Sequence, residues 1–162
     1  MSEKPSDVRA QEHADKLLTV AVMSLDIVAG DVEENLRRME MMADALPDSV
    51  DIAVLPELFT TSFMKDTEAM LAAAEGGDGP TMEAVCRLSA RKNMMVAGSF
   101  LACETAAGGG VTYFNRGFMV MPDGQRVFYD KHHLFCLSKE AQLLAHGHSR
   151  PPLVRFRGWN VS

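Results

Sequence analysis

The chain has 162 residues, of which 47% are hydrophobic, 23% charged and 7% aromatic, and its formal net charge at pH 7 is −6. This composition is typical of one soluble globular domain; it excludes a disordered chain and argues against a nucleic-acid groove, which needs a basic face. The most apolar segment, residues 17–27, is interrupted by Thr19, Ser24 and Asp26 and is too short to span a membrane, so no membrane partner is predicted.

The cysteines and the N-terminus indicate where the protein works. Cys86, Cys103 and Cys136 have no CxxC spacing, and their odd number argues against a disulfide framework. A reducing compartment is the simpler interpretation. Residues 1–15 are polar and charged and lack the apolar segment of a secretory signal. We therefore expect a flexible N-terminal tail and a cytoplasmic protein.

The apolar pattern predicts a βαβ unit in the first third of the chain. Residues 17–27 are almost continuously apolar, which predicts a strand buried on both faces. Asp31 and Glu34 form a pair like a capping box, and apolar residues at helical spacing follow until Pro47. A second buried strand is predicted at residues 51–55. Because strand, helix and strand follow one another at this spacing, we expect parallel strands.

The rest of the chain is predicted to be richer in strands. The elements expected there are a helix at 81–92, strands at 94–101, 112–121 and 126–129, a short serine-capped helix at 138–145, and strands at 153–156 and 159–162. The sequence therefore predicts an α/β fold, and its last residues have the pattern of a sheet. Since domain boundaries normally fall in polar linkers, we expect the chain to be part of a longer domain.

Glu57 is the first candidate for chemistry. It follows Pro56, which ends the second predicted strand because proline cannot donate a ladder hydrogen bond. Crevices in α/β sheets open at the carboxyl ends of strands. The apolar neighbours Leu55, Leu58 and Phe59 would desolvate a carboxylate there, which suits a general base. A helix-capping or solvent-facing glutamate is the alternative, and the local pattern alone favours it.

Three further residues are candidates because each lies near the start or the end of a predicted strand or helix. Lys131 lies beyond a strand end and is a candidate oxyanion-stabilising charge, although a surface lysine after a hairpin is commoner. If the preceding aspartate–glycine turn is regular, Asn115 faces His132 and lies next to Lys131, whereas a bulge would shift this pairing by one residue. Glu140 lies in the first turn of the short helix, where the helix dipole favours a carboxylate; the alternative is a second carboxylate that holds Lys131 charged and positioned.

Metal and thiol sites are weaker hypotheses. His132, His133, His146 and His148 suggest a metal site, but adjacent histidines point in different directions in an extended chain and no carboxylate motif completes the set. No metal is therefore predicted. Nothing local marks Cys136 as an activated thiolate, and a buried structural cysteine is the preferred interpretation.

Three segments carry a family resemblance: LPELFTTSF at 55–63, FNRGFMVMPDGQ at 114–125 and YDKHHLF at 129–135. Their order, spacing and strand context resemble the nitrilase superfamily of carbon–nitrogen hydrolases, and within it the omega-amidase branch most. The resemblance implies an α/β fold in the form of a four-layer α-β-β-α sandwich. Residues 16–162 would form its N-terminal portion, truncated before the expected nucleophile.

The resemblance also implies roles for individual residues. Glu57 matches the family's general base, Lys131 its oxyanion-stabilising cation and Glu140 its supporting glutamate. Asn115 and Phe63 are implied to be supporting or substrate-binding residues. The family's nucleophile is a cysteine that follows a segment like the last six residues of this chain, and none of the three cysteines lies there. The implied mechanism forms a thioester and needs no metal or organic cofactor.

Three functional hypotheses stay open. The preferred one is a hydrolase of small linear amides such as 2-oxoglutaramate, with the cysteine outside this chain, no nucleic-acid partner and, by resemblance, a homodimeric assembly. The alternative is a catalytically inactive truncated remnant or assembly partner, because the nucleophile is missing. A third hypothesis is another branch, such as an N-carbamoyl or aliphatic amidase. For the 162-residue chain alone we expect no amidase turnover.

Overall fold

A five-stranded sheet lies at the centre of the computed structural model, which describes residues 17–162. The strands lie side by side in chain order: β1 (Val20–Val22), β2 (Ile52–Val54), β3 (Met95–Thr105), β4 (Val111–Val120) and β5 (Arg126–Asp130). The first three strands are parallel, and β4 and β5 are antiparallel to their neighbours. The expected flexible tail at 1–15 lies outside the described residues.

The helices are α1 (Val32–Asp44), α2 (Thr67–Ala72), α3 (Pro80–Lys92) and α4 (Glu140–Leu143). The predicted βαβ unit is confirmed, since α1 connects the parallel strands β1 and β2. The predicted cap is also present, because the Asp31 carboxylate accepts a hydrogen bond from the Glu34 N–H at 3.1 Å. Helix α2 was not predicted, since six residues are too few to show a helical period. No helix within residues 17–162 is long and apolar enough to cross a membrane.

Helices α1 and α3 cover one face of the sheet. Their buried side chains, Met39 and Val85 among them, pack with Phe100 of β3 and Phe118 of β4 in one hydrophobic core. The opposite face is in contact with a hairpin of two short strands, β6 (Val154–Phe156) and β7 (Trp159–Val161). The predicted α/β class is confirmed by this arrangement of helices on a mixed sheet, in which β1, β2 and β3 are parallel and β4 and β5 are antiparallel to their neighbours.

Strand β1 is shorter and more exposed than the sequence predicts. Of the apolar segment 17–27, only three residues form the strand, and Val20 and Val22 are 50% and 81% exposed. The prediction of a strand buried on both faces is therefore wrong. The reason is position: β1 lies at the edge of the sheet, and its one core-facing residue, Ala21, packs against the helix-covered side.

The short helix predicted at 138–145 is also corrected. It has four residues, and its N-cap is Lys139 rather than a serine. The Ser138 hydroxyl still accepts a hydrogen bond from the Glu140 N–H at 3.1 Å. The helix ends early because the chain returns to the sheet, where the Ala145 N–H donates to the Tyr113 carbonyl at 2.8 Å.

The β4–β5 hairpin differs from the regular register by one residue. Arg116 faces Asp130, so that Asn115 lies opposite Lys131 and not His132. The Lys131 N–H donates to the Asn115 carbonyl at 2.9 Å. The backbone itself thus places the two polar side chains next to each other.

The turn explains the changed register. Its loop has three residues, 122–124, instead of two, and it is closed by a 2.9 Å hydrogen bond from the Met121 N–H to the Gln125 carbonyl. Gly124 has a φ of 87°, the left-handed conformation that three-residue hairpin loops need at this position. The predicted turn residues are therefore correct, and their pairing is not.

Candidate active site

Glu57 lies in an irregular turn that follows β2. The next residue, Leu58, has a φ of 47°, which is uncommon for a residue with a side chain. Its N–H donates to the Ser99 hydroxyl at 2.9 Å, and the Phe59 N–H donates to the Ser99 carbonyl at 3.1 Å. Ser99 of β3 therefore holds the backbone that carries Glu57.

Four residues singled out from the sequence meet at this point. The Lys131 ammonium donates to Glu57 Oε1 at 2.7 Å and to the two oxygens of Glu140 at 3.1 and 3.2 Å. The Asn115 amide nitrogen donates to the same two carboxylates, at 2.7 Å to Glu57 and 3.0 Å to Glu140. Two carboxylates thus share one cation and one neutral donor, and the cluster carries a formal charge of −1.

The two carboxylates have opposite environments. The Glu140 side chain is 5% exposed, the Lys131 side chain 31% and the Glu57 side chain 62%. The expected desolvation of Glu57 is therefore not found. Its apolar neighbours Leu58 and Phe59 are themselves buried, but their burial does not extend to the Glu57 carboxylate.

Two pKa shifts follow from this geometry. Desolvation lowers the pKa of Lys131, but the hydrogen bonds and charges of Glu57 and Glu140 outweigh it and raise the pKa above its ordinary value. Desolvation likewise raises the pKa of Glu140. Hydrogen bonds from Asn115, from the Phe135 N–H at 2.7 Å and from Lys131 outweigh it and lower that pKa. The ammonium and the buried carboxylate are therefore both charged at neutral pH.

A cavity of about 510 Å³ opens beside the cluster. It is lined by Glu57, Leu58, Ser62, Phe63, Lys131, Phe135, Ser138 and Glu140. This volume suits a small organic molecule, and the lining combines charged groups, two hydroxyls and apolar side chains. Phe63 thus lies at the cavity wall, whereas Asn115 contacts the carboxylates from behind it.

Sequence reasoning did not single out Ser62, Phe135 and Ser138, which line the cavity. Ser62 and Phe135 lie within the segments that carry the family resemblance, and this position was the one feature of the sequence that could have identified them as candidates. Ser138 was noted only as a helix cap, and nothing in the local pattern indicates that it lines a cavity.

None of the three cysteines lines this cavity. Cys86 and Cys103 are half-buried, and Cys136 is exposed in the loop between Phe135 and Ser138. The preferred interpretation of Cys136 as a buried cysteine is therefore wrong, because the loop presents it to solvent. Within residues 17–162, no group of three or more His, Cys, Asp or Glu side chains is arranged to hold a metal ion.

The two pKa shifts predict how stability depends on pH. Glu140 has its pKa lowered from 4.5, so its contribution is complete above pH 4.5 and is lost as the pH falls through the lowered value. Lys131 has its pKa raised from 10.5, so its contribution is complete below pH 10.5 and is lost as the pH rises through the raised value. We expect Glu140→Gln to be less stable than the wild type by roughly 1–3 kcal/mol at pH 7.

This difference in the free energy of unfolding should shrink as the pH falls from 4.5 through the lowered pKa of Glu140. Urea unfolding at several pH values between 7 and 3 measures it. Glu68→Gln is the control, because Glu68 is exposed on α2. A difference that stays constant over this range would show that the charge of Glu140 does not stabilise the fold.

Comparison with known proteins provides relatives along most of the chain. Residues 19–158 match the sequence model of the carbon-nitrogen hydrolase family. The omega-amidase YafV of Yersinia enterocolitica is 32% identical over 145 residues, which are 89% of this chain and 52% of that protein. The omega-amidase YafV of Escherichia coli K12 is 29% identical over 144 residues, with the same coverage.

Solved structures show the same likeness. A CN-hydrolase superfamily protein of Xanthomonas campestris, with an arsenic adduct in its active site, superimposes with a TM-score of 0.77 at 29% identity over 88% of this chain and 51% of that one. The predicted nitrilase-type α/β fold is thereby confirmed. This chain spans about half the length of the relatives that it matches.

Proposed function

The chain belongs to the carbon–nitrogen hydrolase family, and on this basis we propose that it supplies the general base and the fixed cation of an omega-amidase-type active site. The observation that carries the proposal is the Lys131 ammonium held between an exposed carboxylate, Glu57, and a buried one, Glu140. The exposed carboxylate is available to exchange protons with a reacting group, whereas the buried one fixes the charge of the lysine.

Glu57 is the proposed general base. Lys131 and Asn115 both donate to Oε1 of its carboxylate. Oε2 receives no hydrogen bond from residues 17–162 and lies on a side chain that lines the cavity. One oxygen therefore holds the side chain in place, and the other is available for a proton.

Lys131 is the proposed oxyanion-stabilising cation. An ammonium has three N–H groups. In the structure they face three acceptor oxygens, one of Glu57 and two of Glu140, and the side chain also lines the cavity. An N–H that leaves one of the two longer contacts with Glu140 would donate to a substrate oxygen in the cavity. Since the raised pKa keeps the group charged, it would stabilise a carbonyl oxygen that gains negative charge.

The nucleophile of the proposed reaction is a cysteine from outside residues 17–162. Glu57 takes the thiol proton, and the sulfur attacks the amide carbonyl to form a tetrahedral oxyanion beside Lys131. The C–N bond then breaks, protonated Glu57 returns its proton to the leaving nitrogen, and ammonia departs from a thioester. Water attacks the thioester with Glu57 again as base, which releases the acid and restores the thiol.

The proposed substrate is a small linear amide such as 2-oxoglutaramate. The omega-amidase names of the relatives at 32% and 29% identity support this class, and the 510 Å³ cavity fits its size. A cytoplasmic location is proposed because all three cysteines are free. The net charge of −6 supports the absence of a nucleic-acid partner, and the family resemblance supports a homodimer.

One observation favours a different function. Because no cysteine of this chain lines the cavity, the protein would be catalytically inactive if no other segment supplied the sulfur. It would then act as a remnant or as an assembly partner of a related hydrolase. The two functions predict different results when this chain is joined to a segment that carries the cysteine: a hydrolase would then turn over its substrate, and an inactive remnant would not.

A fusion protein tests the proposal. In this fusion hydrolase, residues 17–162 replace the matched half of the Yersinia relative, and the remaining half of that protein is the proposed source of the cysteine. We expect ammonia release from 2-oxoglutaramate by the fusion hydrolase and none by the 162-residue chain alone. Turnover by the chain alone that disappears in Cys136→Ser would instead assign the nucleophile to Cys136. A folded fusion hydrolase without turnover would favour the inactive remnant.

A further inference from the structure

Lys131 and Glu140 belong to one loop whose two ends are tied together. The Gly147 N–H donates to the Lys131 carbonyl at 3.0 Å, and His132 Nδ1 donates to the Gly147 carbonyl at 2.8 Å. His146 Nδ1 donates in turn to the His132 carbonyl at 2.8 Å. These three hydrogen bonds, which we name the 132/147 clasp, join residues 131–132 to residues 146–147.

The clasp requires a glycine at position 147, because there is no room for a side chain there. A Cβ atom at this position would lie 1.8 Å from the Asp130 carbonyl oxygen and 2.6 Å from its carbonyl carbon. Both distances are far below van der Waals contact, and Gly147 is buried. Any side chain would therefore push the 146–148 segment away from the backbone that leads into Lys131.

The Asp130 backbone has little freedom to give way. Its carboxylate accepts two hydrogen bonds from Arg116, at 2.7 Å from Nε and 2.9 Å from Nη2, across the β4–β5 pair. A paired guanidinium and carboxylate of this kind fixes both side chains and the strand register. A displacement at Gly147 is therefore expected to move the loop rather than the sheet.

The loop closed by the clasp carries half of the candidate site. Its Phe135 N–H donates to Glu140 Oε2 at 2.7 Å, and Phe135 and Glu140 both line the cavity. Lys131 stands at the start of the loop and binds Glu140 in its middle. The relative position of cation and supporting carboxylate thus depends on where the loop ends are held.

We propose that Gly147 and His132 are positioning residues, which set the Lys131 ammonium against Glu140 by closing this loop. The proposal rests on the proposed role of Lys131 in the hydrolase. Neither residue touches the cavity; both act through the backbone of Lys131. Because a carbonyl oxygen only accepts hydrogen bonds, the His132 and His146 rings must carry a hydrogen on Nδ1.

Nuclear magnetic resonance of the protein itself tests the clasp. With ¹⁵N-labelled lysine, the Lys131 ammonium signal is assigned by its loss in Lys131→Arg, and the exchange of its protons with water is measured at pH 7. We expect His132→Ala to accelerate this exchange about tenfold, because the loss of one hydrogen bond of the clasp weakens the hold of the loop on Lys131 by a comparable factor. His132→Asn should restore the wild-type rate, because its amide nitrogen can donate to the Gly147 carbonyl as Nδ1 does.

Matched variants separate positioning from stability. His148→Ala removes an exposed histidine of the same segment, and Gly108→Ala adds a methyl group where no atom lies within 4 Å; both should leave the Lys131 signal unchanged. Gly147→Ala should shift or broaden it. Folded His132→Ala with a lower melting temperature and an unchanged Lys131 signal would overturn the proposal, and if Gly147→Ala does not fold, the two His132 variants decide.

This readout needs no turnover. An inactive fusion hydrolase with a perturbed Lys131 signal in His132→Ala would contradict the proposed function and leave the clasp supported. An active fusion hydrolase with an unchanged Lys131 signal in His132→Ala would support the proposed function and contradict the clasp.

Discussion

Glu57→Gln in the fusion hydrolase is expected to lower kcat for 2-oxoglutaramate by about 10³-fold, within the range found for positioned general bases. Glutamine keeps the Oε1 acceptor, so Lys131 and Asn115 retain their contacts, but it cannot take a proton. Since the side chain is 62% exposed, we expect little change in the free energy of unfolding. Steady-state ammonia release and a urea unfolding curve measure the two effects.

The control for this variant is Glu68→Gln, which removes a carboxylate from an exposed position of α2. It should leave both kcat and stability unchanged. A Glu57→Gln enzyme that keeps most of its turnover would remove Glu57 from the role of base and leave the carboxylate as a mere ion-pair partner of Lys131.

Phe59→Ala is expected to have the largest effect on stability, at about 3–5 kcal/mol. Phe59 has no solvent exposure, and its ring meets the Phe118 ring edge-on with 6.2 Å between centroids. Truncation would leave a cavity under the turn that carries Glu57. A loss of this size is a large fraction of the net stability of a typical domain, so the variant should unfold at a much lower urea concentration.

Phe63→Ala provides the matched control. Phe63 lies four residues further along but is 36% exposed at the cavity wall, so that we expect a loss below about 1 kcal/mol there. Equal losses in the two variants would show that the turn does not anchor in the core as described.

The parts of the fold that follow from local patterns were predictable. The capping pair at Asp31 and the helical spacing behind it fixed α1, and the apolar segments on either side gave the parallel strands. Burial of β1 was not predictable from its sequence, because an edge strand can be as apolar as a central one. The hairpin register was missed because the same turn residues close loops of two or three residues.

The candidate site was likewise only partly predictable from the sequence. For Glu57 and Lys131 taken singly, the local pattern favoured ordinary surface residues, and only the order of three segments suggested that they act together. Their 2.7 Å contact joins residues 74 positions apart, so no local rule could supply it. The clasp at Gly147 depends on how the loop packs against Asp130, and the exposure of Glu57 depends on the turn that follows β2; both are properties of the folded chain.

We propose that Lys131, held between two carboxylates, acts as a catalytic cation, and this claim is tested by measuring ammonia release from 2-oxoglutaramate with the fusion hydrolase and its Lys131→Met variant. We predict a loss of at least about 10²-fold in kcat for Lys131→Met, as for the removal of an oxyanion-stabilising group, and no loss for Lys139→Met, which changes an exposed lysine nearby. Equal turnover of the Lys131→Met and Lys139→Met enzymes would contradict the claim.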